Sequence, residues 1–133
     1  MKQNKVFRIF LVGLLLITVL DVLGSLASKR FSFNYGYLLP LSLLIYILTA
    51  HYIWRNSDIK TAVFLTSFLG MADGSAGFYL SSELGAFSPV KDIPLTPVLL
   101  VVMALLMACF GALVGALTAG VSSEFSRRSG REV

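Results

Sequence analysis

The chain has 133 residues, of which 56% are hydrophobic and only 14% are charged, and its mean hydropathy is +0.82. Soluble domains carry about 25% charged residues, so this composition excludes a soluble globular protein. The length fits one transmembrane domain, residues 1–133. The net charge of +4 comes from short basic clusters between apolar runs. Because these clusters form no basic face, nucleic acid is excluded as a partner.

Four apolar stretches are long enough to cross a membrane. A bilayer core about 30 Å thick requires about 20 apolar helical residues, and residues 7–27, 37–54, 61–80 and 97–120 meet that requirement. Because the connections between them are short, consecutive helices are expected to be antiparallel neighbours. The sequence therefore predicts an all-α membrane protein, a bundle of four transmembrane helices.

The first stretch has a second interpretation as a signal peptide. A basic segment, residues 1–8, precedes an apolar segment, residues 9–20, and the triplet Ser25-Leu26-Ala27 resembles a cleavage site. Asp21 lies unusually close to the apolar segment for a signal peptide. An uncleaved helix is therefore the favoured interpretation.

Basic residues are distributed unequally between the two ends of the predicted bundle. Eight lie on the side of the termini and the second connection, namely Lys2, Lys5, Arg8, Arg55, Lys60, Arg127, Arg128 and Arg131. Three lie on the other side, Lys29, Arg30 and Lys91. Since basic residues stay cytoplasmic, both termini are predicted in the cytoplasm, in a bacterial-type cytoplasmic membrane. Aromatic residues are expected at both interfaces: Tyr52 and Trp54 inside, and Phe31, Tyr35, Tyr37 and Phe87 outside.

The two halves of the chain resemble each other faintly. Asp21 is followed by Gly24 and Ser25, and Asp73 by Gly74 and Ser75. The trailing helices open with Pro40-Leu41-Ser42 and with Pro94-Leu95-Thr96. Both leading helices run in the same direction, so one interpretation is a parallel repeat of two helical hairpins, as some transporters have. Coincidence within apolar sequence is the alternative.

Two aspartates lie within the predicted spans, where an ionisable group is costly and usually functional. Asp21 and Asp73 are displaced in the same direction from the centres of their spans, by about 6 Å and about 4 Å at 1.5 Å per residue. Small residues flank both, so each carboxyl group is expected to point into the bundle. Asp21, Asp73, Ser25 and Ser75 are therefore candidates for a proton or cation site.

The alternative role for these aspartates is structural. Each carboxyl group could tie helices together by hydrogen bonds to the hydroxyls of Ser25, Ser75, Tyr46 or Tyr79. Neither span contains a basic partner for an aspartate. The two acids alone therefore do not define a mechanism.

The fourth stretch has the clearest packing pattern. Small residues recur every four positions in one row, which consists of Ala104, Ala108, Ala112, Ala116 and Gly120, and Gly111 and Gly115 lie in the adjacent row. Helices in lipid associate through close van der Waals contact, which such small residues permit. This face is predicted to pack against a helix of the same chain, of a partner, or of both.

Catalytic and metal-binding patterns are missing from the sequence. It contains no phosphate-binding loop and no HExxH, CxxC or GxSxG motif. His51 lies about 12–14 Å in depth from either aspartate, too far for a Ser-His-Asp triad. Cys109, the single cysteine, cannot form an intrachain disulfide and is expected to be buried and inert. The chain is predicted to be neither an enzyme nor a cofactor or metal protein.

Two main functions remain from the sequence, and a membrane enzyme is a distant third. The favoured one is a membrane subunit or scaffold that acts through helix association, in a homo-oligomer or a larger membrane complex. The alternative is a small oligomeric transporter or channel that uses Asp21 and Asp73 as a proton or cation site.

Overall fold

The computed structural model describes residues 2–86 and 96–129, and every secondary-structure element in these ranges is helical. The elements are α1 (Lys2–Phe31), a 3₁₀ turn (Tyr35–Leu38), α2 (Leu39–Asn56), α3 (Ile59–Ala72), a π-helical turn (Asp73–Gly77), α4 (Phe78–Glu83) and α5 (Pro97–Ser129). The predicted all-α class is confirmed. Three residues that the sequence analysis assigned to the outer side or to the start of the fourth helix lie outside the described residues, namely Phe87, Lys91 and Pro94.

Three helices of the described chain are long and apolar enough to cross a membrane. They comprise Asn4–Phe31, Tyr35–Asn56 and Pro97–Ser126. The remaining predicted span, residues 61–80, corresponds to α3, the π turn and α4, which follow one another directly. The four helical stretches are therefore present, and the third is interrupted by a π turn.

Local sequence explains where the helices begin and end. Asp58 caps α3, since its carboxylate accepts hydrogen bonds from the Thr61 hydroxyl at 2.5 Å and the Thr61 backbone N–H at 3.4 Å. Pro40 lies in the first turn of α2, where a missing N–H costs nothing. Gly85 ends α4 with a φ of +71°, a conformation that glycine adopts without strain.

The helices are arranged so that α1 and α5 lie on opposite sides of α2 and α3. Helix α1 packs against α2 and the α3–α4 stretch, and α5 packs against α2, α3 and the π turn. Within the described residues α1 and α5 do not pack directly against each other. Among the described helices, the most extensive packing joins α3 to α5.

Polar side chains are buried in this molecule while large apolar side chains are exposed. Ser25 and Thr66 are fully buried and Asp21 is 3% exposed, whereas Leu15 and Leu117 are 63% and 68% exposed. Exposure of an apolar surface this extensive would be strongly unfavourable for a protein in water. This distribution of burial suits a hydrocarbon environment.

Glycines bring the backbones of α3 and α5 together. A Cβ atom at Gly70 would overlap the Met107 carbonyl, and one at Gly111 would overlap the Thr66 carbonyl. Each helix therefore places a glycine against the backbone of the other, in an antiparallel register. The Ser67 hydroxyl adds an interhelical hydrogen bond of 3.0 Å to the carbonyl of Ala108.

The two small-residue rows of α5 have different environments. Gly111 and Gly115 are buried against α3 of the same chain. The other predicted packing residues are less covered: Ala104, Ala108 and Ala112 are partly buried, and Ala116 is exposed. At the end of this row, Gly120 has nothing within 4 Å of the position that a Cβ atom would take. The row with Gly111 and Gly115 therefore packs within the chain, and the adjacent row is open toward its C-terminal end, at Ala116 and Gly120.

The expectation that Cys109 is buried is wrong, because the structure leaves its side chain exposed. Position 109 lies on α5 between Ala108, which faces α3 through its carbonyl, and the half-buried Phe110. An apolar residue within an apolar helix gives no sequence signal of which way it points, since every face of α5 is apolar.

Candidate functional site

The two intramembrane aspartates meet in the folded chain. Asp21 extends from the unbroken helix α1, and Asp73 is the first residue of the π turn. Their carboxyl groups border the same glycine, since a Cβ atom at Gly77 would meet both Asp21 Oδ2 and Asp73 Oδ1. Asp21 is almost completely buried, at 3% exposure, and Asp73 is partly buried. The two residues, which are 52 positions apart in the sequence, thus form one site.

Gly77 makes this meeting possible. A Cβ atom at this position would overlap Asp21 Oδ2 and crowd Asp73 Oδ1. Glycine is thus required where α1 passes the π turn. The turn itself belongs to a class of helix irregularity that is frequent at functional sites.

A tyrosine hydroxyl donates to each carboxyl group. The Tyr35 hydroxyl donates to Asp21 Oδ1 at 2.6 Å, and the Tyr46 hydroxyl donates to Asp73 Oδ2 at 2.8 Å. The remaining oxygens, Asp21 Oδ2 and Asp73 Oδ1, both border Gly77. The two outer oxygens thus accept hydrogen bonds from phenols, and the two inner oxygens border the same glycine.

A hydrogen bond between two carboxyl groups requires a proton, because carboxylates have no donor of their own. Alternatively, a cation between the inner oxygens could reduce the repulsion between the two carboxylates, since hard cations take oxygen ligands. The arrangement could therefore take up a proton or a cation. No group of three or more His, Cys, Asp or Glu side chains suited to a metal ion occurs in the described part of the chain.

Ser25 adds an unsatisfied hydroxyl near this pair. It lies one helical turn after Asp21 on the same face of α1, is fully buried, and its Oγ has no hydrogen-bond partner among the described residues. A buried hydroxyl without a partner is unfavourable by about 1–3 kcal/mol. Ser25 is therefore a further oxygen that a bound ion or water could use.

Ser75, the fourth predicted site residue, points its hydroxyl elsewhere. It donates to the carbonyl oxygens of Met71 and Ala72 in the preceding turn, at 2.7 and 3.4 Å. Of the four predicted site residues, the structure brings Asp21 and Asp73 together, places Ser25 beside them, and ties the Ser75 hydroxyl to its own helix.

One site residue could not be found from the sequence. Tyr35 is expected at the membrane interface by its position between two spans, yet its hydroxyl reaches back to Asp21. The 3₁₀ turn makes this possible, and Asn34 caps that turn by accepting the Gly36 N–H at 2.9 Å. An Asn-initiated turn is a weak signal, and nothing in it specifies a return toward α1. Tyr46, by contrast, was one of the predicted hydroxyl partners.

His51 lies apart from the aspartates, toward the other end of α2. Its Nδ1 lies 3.0 Å from the Ser122 hydroxyl of α5, and its ring packs against the rings of Tyr52 and Trp54. This contact joins α2 to α5. Tyr79, another predicted partner of the aspartates, is 45% exposed.

The chain matches no protein-family model, and neither a characterised protein nor a solved structure shows significant similarity to it. A function for this chain is therefore inferred from the geometry of the site.

Proposed function

We propose that this chain is a four-span membrane protein that conducts or transports protons or a monovalent cation through the Asp21–Asp73 pair. The observation that carries the proposal is the meeting of two carboxyl groups from different helices, each of which accepts a hydrogen bond from a tyrosine hydroxyl, with Asp21 buried and Asp73 partly buried. Intramembrane acids that face the interior of a bundle mark ion or proton pathways.

The energetics of the pair support an ion-binding role over a purely structural one. Two negative charges this close are strongly unfavourable in a dry site, so the pair takes up a proton or a cation. A structural tie between helices could be made by neutral amides at lower cost. The unsatisfied Ser25 hydroxyl beside Asp21 supports the same interpretation.

The proposed topology has four spans and both termini in the cytoplasm, as the positive-inside rule favours. It can be tested by single-cysteine labelling after replacement of the native Cys109 with alanine. Ser32→Cys should react with an impermeant thiol reagent in intact cells, and Ser57→Cys should react only after the cells are opened. Labelling of Ser57→Cys in intact cells would overturn the orientation.

Transport also calls for an oligomer, because four helices enclose little space for a pathway. The open row on α5, which ends in Ala112, Ala116 and Gly120, is suited to close contact with a second copy. We therefore propose a homo-oligomer in which this row lies at the subunit interface.

The direct test is ion flux in liposomes that contain the purified full-length chain. A proton gradient or a monovalent cation gradient is applied, and internal pH is followed with a trapped dye. Asp21→Asn and Asp73→Asn should each reduce flux to the level of empty vesicles, because both carboxyl groups build one site. Glu83→Gln is the matched control, since Glu83 is an exposed acid of the same helical stretch, and it should leave flux unchanged.

Thermal stability provides a second test of the ion site, which does not require the transported ion to be known. The thermal midpoint of the wild type should change with pH or with one monovalent cation, and this dependence should vanish in Asp21→Asn, Asp73→Asn and the double variant. Flat and superimposable curves for all four proteins would refute the ion site.

A second candidate function is a membrane subunit or scaffold that acts through helix association. The observation that favours it is the same open row on α5, which no described part of the chain covers completely. Ala116→Leu should then abolish association with the partner or second copy while the chain remains folded. Asp21→Asn should leave that association intact, which distinguishes this function from transport.

A further inference from the structure

Two clefts lie side by side between the C-terminal parts of α2 and α5. One has a volume of about 490 Å³ and is lined by His51, Trp54, Arg55, Ser57, Ser122 and Ser126. The other has a volume of about 370 Å³ and is lined mainly by apolar residues. Because both include His51 and Ser122, they form one continuous surface with a polar part and an apolar part.

The polar part has the groups that bind a phosphate. Arg55 is exposed and forms no ion pair with any residue that the structure describes. Its guanidinium group can give two parallel hydrogen bonds to phosphate oxygens. Ser126 also lines the cleft and is exposed, and the contact between His51 and Ser122 joins the two helices that form the cleft.

Neighbouring acidic residues do not neutralise the positive charge of Arg55. Asp58 and Glu124 are close in sequence to lining residues, but neither lines the cleft. The Asp58 carboxylate accepts hydrogen bonds from the hydroxyls of Ser57 and Thr61, so it is engaged as the cap of α3. Among the described residues that line the cleft, Arg55 is therefore the one with a formal charge that an anion would meet.

The apolar part continues from the polar cleft along the outside of the helices. Its lining includes Ile47, Leu48, Leu117 and Val121, which are 37%, 46%, 68% and 57% exposed. A surface of this shape fits a hydrocarbon chain. Because other lipids offer the same apolar contact, the groove would position a chain, and the headgroup contacts would provide selectivity.

We propose that this composite surface binds an anionic phospholipid, with the phosphate in the Arg55 cleft and an acyl chain in the adjoining groove. Trp54 lines the polar part, and tryptophan is enriched at the interface between a membrane and water. Basic pockets between transmembrane helices are known to take anionic headgroups. The inference rests on the proposed membrane location but not on ion transport.

The test is lipid retention by the purified full-length chain in detergent, measured by native mass spectrometry. Phosphatidylglycerol and phosphatidylcholine with identical acyl chains are titrated separately. The wild type should retain phosphatidylglycerol preferentially, and Arg55→Gln should weaken that retention about fivefold, as expected for one basic side chain near an anionic lipid. Lys60→Gln is the matched control, because it removes the same charge from an exposed residue outside the cleft.

Val121→Trp tests the apolar part, since the larger side chain would fill the groove. It should weaken phosphatidylglycerol retention while the helix content, measured by circular dichroism, stays that of the wild type. Equal losses in Arg55→Gln and Lys60→Gln would overturn the proposal, because they would indicate general charge attraction. Equal retention of both lipids by the wild type, or retention unaffected by Val121→Trp, would also overturn it.

Free inorganic phosphate could occupy the Arg55 cleft through the same contact with the guanidinium group. Millimolar phosphate should not displace phosphatidylglycerol if the acyl chain contributes to binding, and displacement would assign the cleft to a soluble anion instead. Asp21→Asn should retain the lipid as the wild type does. Loss of ion flux with intact lipid retention would therefore separate this inference from the proposed transport function.

Discussion

The α1–α2 pair and the α3–α5 pair are both antiparallel, but they are packed in different ways. In α3–α5, Gly70 and Gly111 place the backbone of each helix against a carbonyl group of the other. In α1–α2 and the 3₁₀ turn that precedes α2, the space at Gly13 is filled by the Thr49 side chain, and the space at Gly24 by the Leu38 and Tyr35 side chains of the turn. One pair therefore meets backbone to backbone, and the other meets through side chains.

This difference separates a rigid part of the molecule from an adaptable one. Backbone atoms cannot move away without shifting a whole helix, whereas a leucine side chain can change its rotamer. Asp73 extends from the backbone-packed pair, and Asp21 extends from the pair held by side chains. A carboxyl pair with one fixed and one adaptable member is suited to bind and release an ion.

The largest expected effect comes from adding one carbon atom to the tight interface. Gly111→Ala and Gly70→Ala should each lower the free energy of unfolding by about 1–3 kcal/mol, as overpacking does, because the new Cβ atom meets a carbonyl oxygen. Gly24→Ala should cost less, since the atom that it meets first is Leu38 Cδ1, the end of a flexible side chain. The measurement is unfolding of the detergent-solubilised protein.

Gly120→Ala is the control for helix propensity, because nothing lies within 4 Å of the new methyl group. It should leave stability unchanged or raise it slightly, by up to about 1 kcal/mol. If Gly24→Ala destabilised the protein as much as Gly111→Ala, the distinction between the two pairs would be wrong.

The next effect on stability is expected at the Asp21–Asp73 pair, which joins the two helix pairs. Asp73→Leu should destabilise the protein by about 1–3 kcal/mol, because the fully buried Tyr46 hydroxyl would lose its acceptor. Asp21→Leu should cost less, since Tyr35 is only partly buried and can reach water. Thermal midpoints of both leucine variants and of the matching asparagine variants would measure this, and asparagine should be better tolerated because it keeps an acceptor.

Removing the phenol hydroxyls should have a smaller effect. Tyr46→Phe is expected to lower stability by about 1 kcal/mol, the usual net contribution of one hydrogen bond, and Tyr35→Phe by less. The two variants should also alter the pH dependence of flux, because each changes the hydrogen bonds of one carboxyl group. A flux profile identical to that of the wild type in both would show that the tyrosines serve only stability.

The smallest effect is expected at the cap of α3, outside the spans. Hydrogen bonds from Thr61 and Ser57 lower the pKa of the exposed Asp58 below its usual value of 3.8. A lowered folded-state pKa stabilises the fold above pH 3.8, and this stabilisation is lost as the pH falls through the folded-state value. The difference in thermal midpoint between wild type and Asp58→Ala should therefore be constant near neutral pH and shrink below about pH 4. A difference that grew on acidification would contradict this assignment.

Some features of the molecule follow from the sequence alone. The all-helical class follows from long apolar runs, because a helix satisfies its own backbone hydrogen bonds. The similar depth of Asp21 and Asp73 follows from their positions within their runs, since helical rise is constant. The packing pattern of Gly111 and Gly115 is likewise visible in spacing, and the structure places both against α3.

Other features were decided only by the tertiary structure. The sequence did not specify that Tyr35 turns back to Asp21, that a π turn begins at Asp73, or that Cys109 is exposed. The physical reason is that lipid and protein interior are both apolar, so hydrophobic periodicity does not reveal which face of such a helix is inside. Contacts between residues distant in the chain determine which face lies inside. For α3 and α5, these are the glycine contacts between the two helices.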